Sequence, residues 1–153
     1  KETLLENLDT IYQRARNISN ENKEINTGKN YFEQLKHMIN SYASDNINVI
    51  FNGNALHEVK LDSEIKIALY RVLQELMVNM KKHSECSLVM ISFKETNSAL
   101  EINYSDNGKG TDNQLQIKNG LQNVENRIFS INGNITFDTE PNKGFKVKIT
   151  IPK

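Results

Sequence analysis

The closing stretch FKVKITI alternates without a break, with Phe145, Val147, Ile149 and Ile151 set against Lys146, Lys148 and Thr150. Successive side chains of a strand point to opposite faces. This segment must therefore bury one face and wet the other. ALEINYS repeats the pattern, with Leu100, Ile102 and Tyr104 against Glu101 and Asn103, and NITFDT shortens it to Ile135 and Phe137. NINVIFNGN alternates into a glycine-containing turn, and SLVMISFKE is apolar on both faces at its centre, as expected of a central strand. Strands with one dry face need a cover, and helices supply it. A two-layer α/β sandwich is the expected architecture.

The covering helices are legible from apolar residues spaced by three and four. One pattern holds Tyr31, Phe32, Leu35, Met38, Ile39 and Tyr42. A longer one holds Ile65, Leu69, Val72, Leu73, Leu76 and Met80 and runs to about Ser84, with Asp62 or Ser63 expected to cap its start. A third is expected over about residues 119–131. Leu4, Leu5, Leu8, Ile11, Tyr12, Ala15 and Ile18 predict a further amphipathic helix at residues 3–19. A polar stretch containing Gly28 separates it from the rest. The expected division is therefore a helix and linker at 1–26 and a sandwich at 27–153.

Composition excludes several classes. Lysine plus arginine and aspartate plus glutamate both number 19, which argues against a bulk affinity for nucleic acid or anionic membrane. The single cysteine, Cys86, cannot form an internal disulfide. No apolar run approaches the roughly 20 residues that span a bilayer. The first residues carry neither a signal-peptide pattern nor an initiator methionine, so a piece cut from a longer protein is expected.

Two constellations carry chemistry. Glu75, Asn79 and His83 recur at spacings of four with Lys82 beside them, which stacks them on one helical face. As oxygen donors, Asn79 and Glu75 suit a hard ion such as Mg²⁺. A solvated helix edge accounts for the same pair, and the dipole of a helix C-terminus accounts for Lys82 and His83. Directly after a strand comes Asp106-Asn107-Gly108-Lys109-Gly110. Asn107-Gly108 is a hairpin signal, but the following TDNQLQIK does not alternate. What remains is a carboxylate at a strand end followed by flexible backbone. Asp106 can accept a hydrogen bond from an exocyclic amino group, and Gly108 and Gly110 allow a ligand close to the main chain. Gly120, before Leu121, opens a helix whose free N–H groups can meet phosphate, or simply starts it. Gly144 alone reads as turn punctuation. There is no GxxxxGK[ST] and no complete GxGxxG.

In this order the motifs resemble the ATP-binding domain of sensor histidine kinases. Tyr70 to Glu75 continuing through Asn79 to Ser84 resembles the family's asparagine box, in the subfamily with YRxxQE helices. Asp106 to Gly110 resembles its first glycine box, and Asn119 to Arg127 its second. Lys143-Gly144 and the strand ending Ile151-Pro152 resemble its C-terminal edge. The resemblance implies a Bergerat-type sandwich, with a mixed, largely antiparallel sheet covered on one face by helices. It implies ATP and Mg²⁺ as cofactors. Asn79 would hold the ion with help from Glu75, which would alternatively polarise the acceptor. Lys82 and His83 would approach the phosphates, Asp106 would read adenine, and Gly108 and Gly110 would shape the pocket. Gly120 and Leu121 would lie beneath a nucleotide lid.

The implied activity is histidine phosphorylation. The acceptor is expected on an upstream helical bundle, because His37 and His57 lack the family's setting. LDTIYQRARNIS resembles the end of that bundle's second helix. The implied partners are that bundle, a response regulator receiver domain and, in the parent, a second copy; no nucleic acid is expected to bind directly. The implied setting is cytoplasmic, in a membrane-anchored parent. Met80 replaces the alanine usual after the box asparagine, and Lys118-Asn119-Gly120 replaces GxG. These departures keep open a degenerate nucleotide-binding or docking module without turnover. A serine kinase of the anti-sigma type shares the ATP box but needs no upstream helix pair.

Overall fold

A computed structural model of the chain describes residues 25, 27–57, 59–110 and 121–153, with the His57 side chain excepted. The expected helix at 3–19, the segment 111–118, Asn119 and Gly120 lie outside the described residues. The elements run α1 (Tyr31–Asn40), β1 (Asn48–Asn52), a short 3₁₀ turn (Asn54–His57), α2 (Ser63–Asn79), a π-helical turn (Met80–Ser84), β2 (Leu88–Glu95), β3 (Ala99–Asp106), α3 (Gln122–Ser130), β4 (Asn134–Thr139) and β5 (Phe145–Pro152).

The five strands form one sheet in the order β1-β2-β3-β5-β4. β1 and β2 are parallel, and the other neighbours are antiparallel. A parallel pair needs a crossover, and the chain between β1 and β2 contains α2. The period-two alternation sets the register: Ile102 pairs with Ile149, and Tyr104 and Phe137 both oppose Val147. The inward row of Val89, Ile91, Phe93, Leu100, Ile102, Tyr104, Val147, Ile149 and Ile151 forms one core with Leu35 and Ile39 of α1, with Leu69, Val72, Leu73, Leu76 and Met77 of α2, and with Val124 and Ile128 of α3. Truncating one such fully buried aliphatic side chain to alanine costs about 2–5 kcal/mol. The phenol of Tyr31 donates to the Lys66 carbonyl (2.7 Å), and the Lys66 ammonium donates to the Thr27 carbonyl (2.6 Å), tying α1 and the chain before it to α2.

Two expectations need correction. β2 is central in pairing but not buried on both faces: Met90, opposite Ile50, is 46% exposed. Among the described residues the helices cover one face only, so an apolar residue on the other face stays wet. Asp62 is the N-cap of α2 in an extended conformation, but its side chain makes no capping bond; its backbone carbonyl accepts from Lys66 N–H (3.0 Å).

Candidate functional site

The inward row of β3 runs Leu100, Ile102, Tyr104, Asp106. The alternation that builds the core therefore carries a carboxylate onto the helix-covered face at the strand's last residue. Asp106 is 8% exposed. Its Oδ2 accepts from the Tyr104 hydroxyl at 2.7 Å, and its Oδ1 accepts from the Gly108 N–H at 2.9 Å. Both oxygens thus have donors, as a buried polar group requires. Burial, then the neighbouring Asp106 charge and their hydrogen bond, push the Tyr104 phenol far above the ordinary tyrosine range. The shared proton stays on tyrosine, which fixes the direction of the bond.

Asn107 ends the hairpin reading. Its Oδ1 accepts from the N–H groups of Ser87 (2.9 Å) and Leu88 (3.0 Å), and its Nδ2 donates to the Ser87 hydroxyl. It pins the start of β2 instead of turning β3 back. The glycines also differ from expectation, because protein already occupies the space beside them. A Cβ on Gly108 would lie 1.9 Å from Ser84 Oγ and 2.3 Å from the Ser84 carbonyl oxygen. Lys109 N–H donates to that carbonyl at 2.8 Å. Gly110, at φ +58°, would bring a Cβ within 2.1 Å of the Glu140 carbonyl. Gly144, at φ +80°, would bring one within 2.2 Å of the Asp106 carbonyl. Gly144 is therefore more than punctuation: it lets the β4–β5 turn lie against the strand end that carries Asp106.

On α2, Glu75 and Asn79 stand half-buried one turn apart. The next residues, Met80–Ser84, form a π-helical turn that closes on Glu85 in the left-handed region. A π turn is wider than an α turn. Lys82 and His83 are both exposed. Met80 is 3% exposed and belongs to the core. Leu121, one residue before α3, is likewise core at 5%. The Ser84 hydroxyl is enclosed without an oxygen or nitrogen partner among the described residues. Near it Cys86 is buried, and desolvation is the main reason its thiol is raised above the ordinary range.

Sequence reasoning did not foresee the contacts that Tyr104, Asn107, Gly144 and Arg71 make. Arg71 is buried on α2, donates to Gln74 Oε1 (3.1 Å) and lies over the Tyr70 ring. Among the described residues no cluster of three or more His, Cys, Asp or Glu could hold a metal. A nucleotide-borne Mg²⁺ does not need one, since it keeps waters and phosphate oxygens and takes one or two protein oxygens. Asn79 and Glu75 have the donor chemistry for that pattern. A shallow depression of about 500 Å³ lies at the opposite end of the sheet, lined by Asn52, Asn54, Phe93, Glu95, Asn97 and Lys153 among others, and touches none of these residues.

Residues 64–153 match the family of histidine kinase-, DNA gyrase B- and HSP90-like ATPases. The match spans more than half of the chain, and the chain belongs to this family. Family membership implies ATP as ligand. It is 30% identical over 95 residues to sensor histidine kinase ComP of Bacillus subtilis (strain 168), covering 60% of the chain and 12% of the relative. It is 32% identical over 96 residues to the histidine-protein kinase/phosphatase DegS of Brevibacillus brevis, covering 61% of the chain and 25% of the relative. The chain thus spans a minor part of these relatives. The fold is similar to the histidine kinase domain of the Erythrobacter litoralis EL346 blue-light activated kinase, with a TM-score of 0.68 at 16% identity, covering 80% of this chain and 59% of that one. It is also similar to the Acinetobacter baumannii histidine kinase AdeS, with a TM-score of 0.64 at 15% identity, covering 99% and 82%. No helix among the described residues is long and apolar enough to cross a membrane.

Proposed function

We propose that this chain is the ATP-binding catalytic domain of a sensor histidine kinase, and that it phosphorylates a histidine on a helical bundle elsewhere in the parent protein. Residues 1–26 supply the end of that bundle's second helix and a linker, and 27–153 the kinase domain. The parent works as a dimer, passes the phosphoryl group to a response regulator receiver domain, and is membrane-anchored with this domain in the cytoplasm. One observation carries the reading. The buried Asp106 carboxylate lies in a turn that is hydrogen-bonded, through Lys109 and Ser84, to the end of the helix bearing Glu75 and Asn79.

Asp106 accepts the exocyclic amino group of adenine, while Gly108 and Gly110 keep the turn closed around it. Asn79, helped by Glu75, holds the Mg²⁺ of Mg-ATP; when bound, the ion offsets charge on the phosphate oxygens. Lys82 and His83, both exposed at the helix end, approach the phosphates, and Gly120 and Leu121 lie beneath a nucleotide lid. In its alternative role Glu75 polarises the acceptor imidazole. An N–P bond forms at an imidazole nitrogen as the bond from the γ-phosphorus to the β–γ bridging oxygen breaks, and ADP leaves. Positioning and charge neutralisation carry most of such a reaction.

The test is a Mg-ATP titration followed by phosphotransfer to the parent's histidine bundle. The expected result is binding and a labelled bundle. Asn79→Ala should remove Mg-dependent nucleotide affinity and labelling while preserving the fold. Binding without phosphotransfer would identify a docking module, and no nucleotide effect would remove both readings.

A further inference from the structure

Tyr104 lies beside the candidate site without belonging to any motif that pointed to it. We infer that Tyr104 is a positioning residue for base recognition: its hydroxyl orients the Asp106 carboxylate that meets the purine amino group. The inference rests on the proposed role of Asp106 and adds a residue to it.

Geometry and burial carry it. The hydroxyl meets Oδ2 at 2.7 Å in a buried setting, where a hydrogen bond to a carboxylate is strong and its loss costly. The Gly108 N–H holds the other oxygen at 2.9 Å, so the carboxylate plane is fixed at both ends. Each carboxylate oxygen accepts more than one hydrogen bond, which leaves capacity for an incoming donor. The ring itself is locked by burial at 2% exposure and by an edge contact with Phe145, with centroids 6.3 Å apart. The phenol keeps its proton for the reasons of burial and charge given above. It therefore donates and never competes with the ligand as an acceptor. A phenylalanine would fill this core position equally well and leave Oδ2 to be held by the ligand alone.

Tyr104→Phe deletes one oxygen and preserves the ring packing. In the 153-residue chain, affinity is measured for Mg-ATP, Mg-inosine triphosphate (which carries a carbonyl in place of the amino group) and Mg-triphosphate, alongside thermal unfolding. The expected result is a loss of about tenfold in Mg-ATP affinity, the worth of one hydrogen bond to a charged group. The ATP-to-ITP ratio should fall by a similar factor, and Mg-triphosphate binding should not change. Asp106→Asn should lower the same ratio, and combining the two substitutions should add nothing further, since Tyr104 acts through Asp106. If Asp106→Asn lowers the ratio and Tyr104→Phe does not, the reading of Asp106 survives and the inference is overturned. Equal loss of all three ligands in Tyr104→Phe would also overturn it, as a general effect of the fold. An unchanged ratio in Asp106→Asn would overturn both.

Discussion

The two ends of the sheet are built on different terms. Where β3 ends and β2 begins, main chain touches main chain: Gly108 against Ser84, Gly110 against Glu140, and Gly144 against Asp106, at distances that leave no room for a Cβ. A carboxylate is buried there, with each oxygen partnered. At the opposite end, β2 and β3 are joined by a turn that Thr96 closes, its hydroxyl bonded to the backbone of Ala99. Lys153 reaches Glu95 in a partly exposed ion pair beside the shallow depression. The same strands serve both ends. The difference teaches that the site resides in how one end is closed, not in the sandwich itself.

Substitutions can break or sharpen that contrast. Gly108→Ala should have the largest effect, about 3 kcal/mol or more in chemical denaturation, because the added methyl meets the Ser84 backbone as well as its side chain. Asn107→Ala should cost about 2 kcal/mol, since the N–H groups of Ser87 and Leu88 lose their acceptor. A cost for Asn97→Ala as large as either would erase the difference between the ends. Alkaline pH should act more gradually. Burial raises the phenols of Tyr31 and Tyr104 and the thiol of Cys86, so the unfolded chain deprotonates first. Stability from these groups is intact below about pH 8 and declines as pH climbs, first through the ordinary thiol range near 9 and then through and beyond the phenol range near 10. Tyr104→Phe should flatten that decline in a pH series of unfolding curves, and an unchanged slope would contradict the burial argument. Lys153→Ala should cost under about 1 kcal/mol, as partly exposed ion pairs do. A larger loss would mean that the opposite end is more tightly built than its contacts indicate.

Much of this was legible in the sequence, for identifiable reasons. The alternation in FKVKITI and ALEINYS predicts one-sided strands; β3 buries the expected residues, and β5 buries Val147, Ile149 and Ile151 while Phe145 is half-buried. The apolar stripe from Ile65 to Leu76 predicts α2, and its half-buried edge carries Glu75 and Asn79. Asp106 was legible as a carboxylate at a strand end because period two can be counted from Leu100. What was not legible depends on contacts distant in sequence. Nothing in MKKHS announces a π turn. Nothing local to Gly108 names Ser84 as its neighbour, and nothing local to Gly144 names Asp106. Tyr104 reads as one more apolar residue in an alternating strand until its hydroxyl is found on the carboxylate two positions on. Met90 shows the converse: an apolar residue whose strand is central still meets water when only one face has a cover.

The most direct test follows backbone amide resonances of the isotope-labelled chain as Mg-ATP is added. The account predicts that the largest shifts fall on Asp106 to Gly110 and on Asn79 to Cys86, with Glu95 to Ser98 undisturbed. Shifts centred on Asn52, Asn54 and Glu95 to Asn97, or none anywhere at saturating nucleotide, would contradict it.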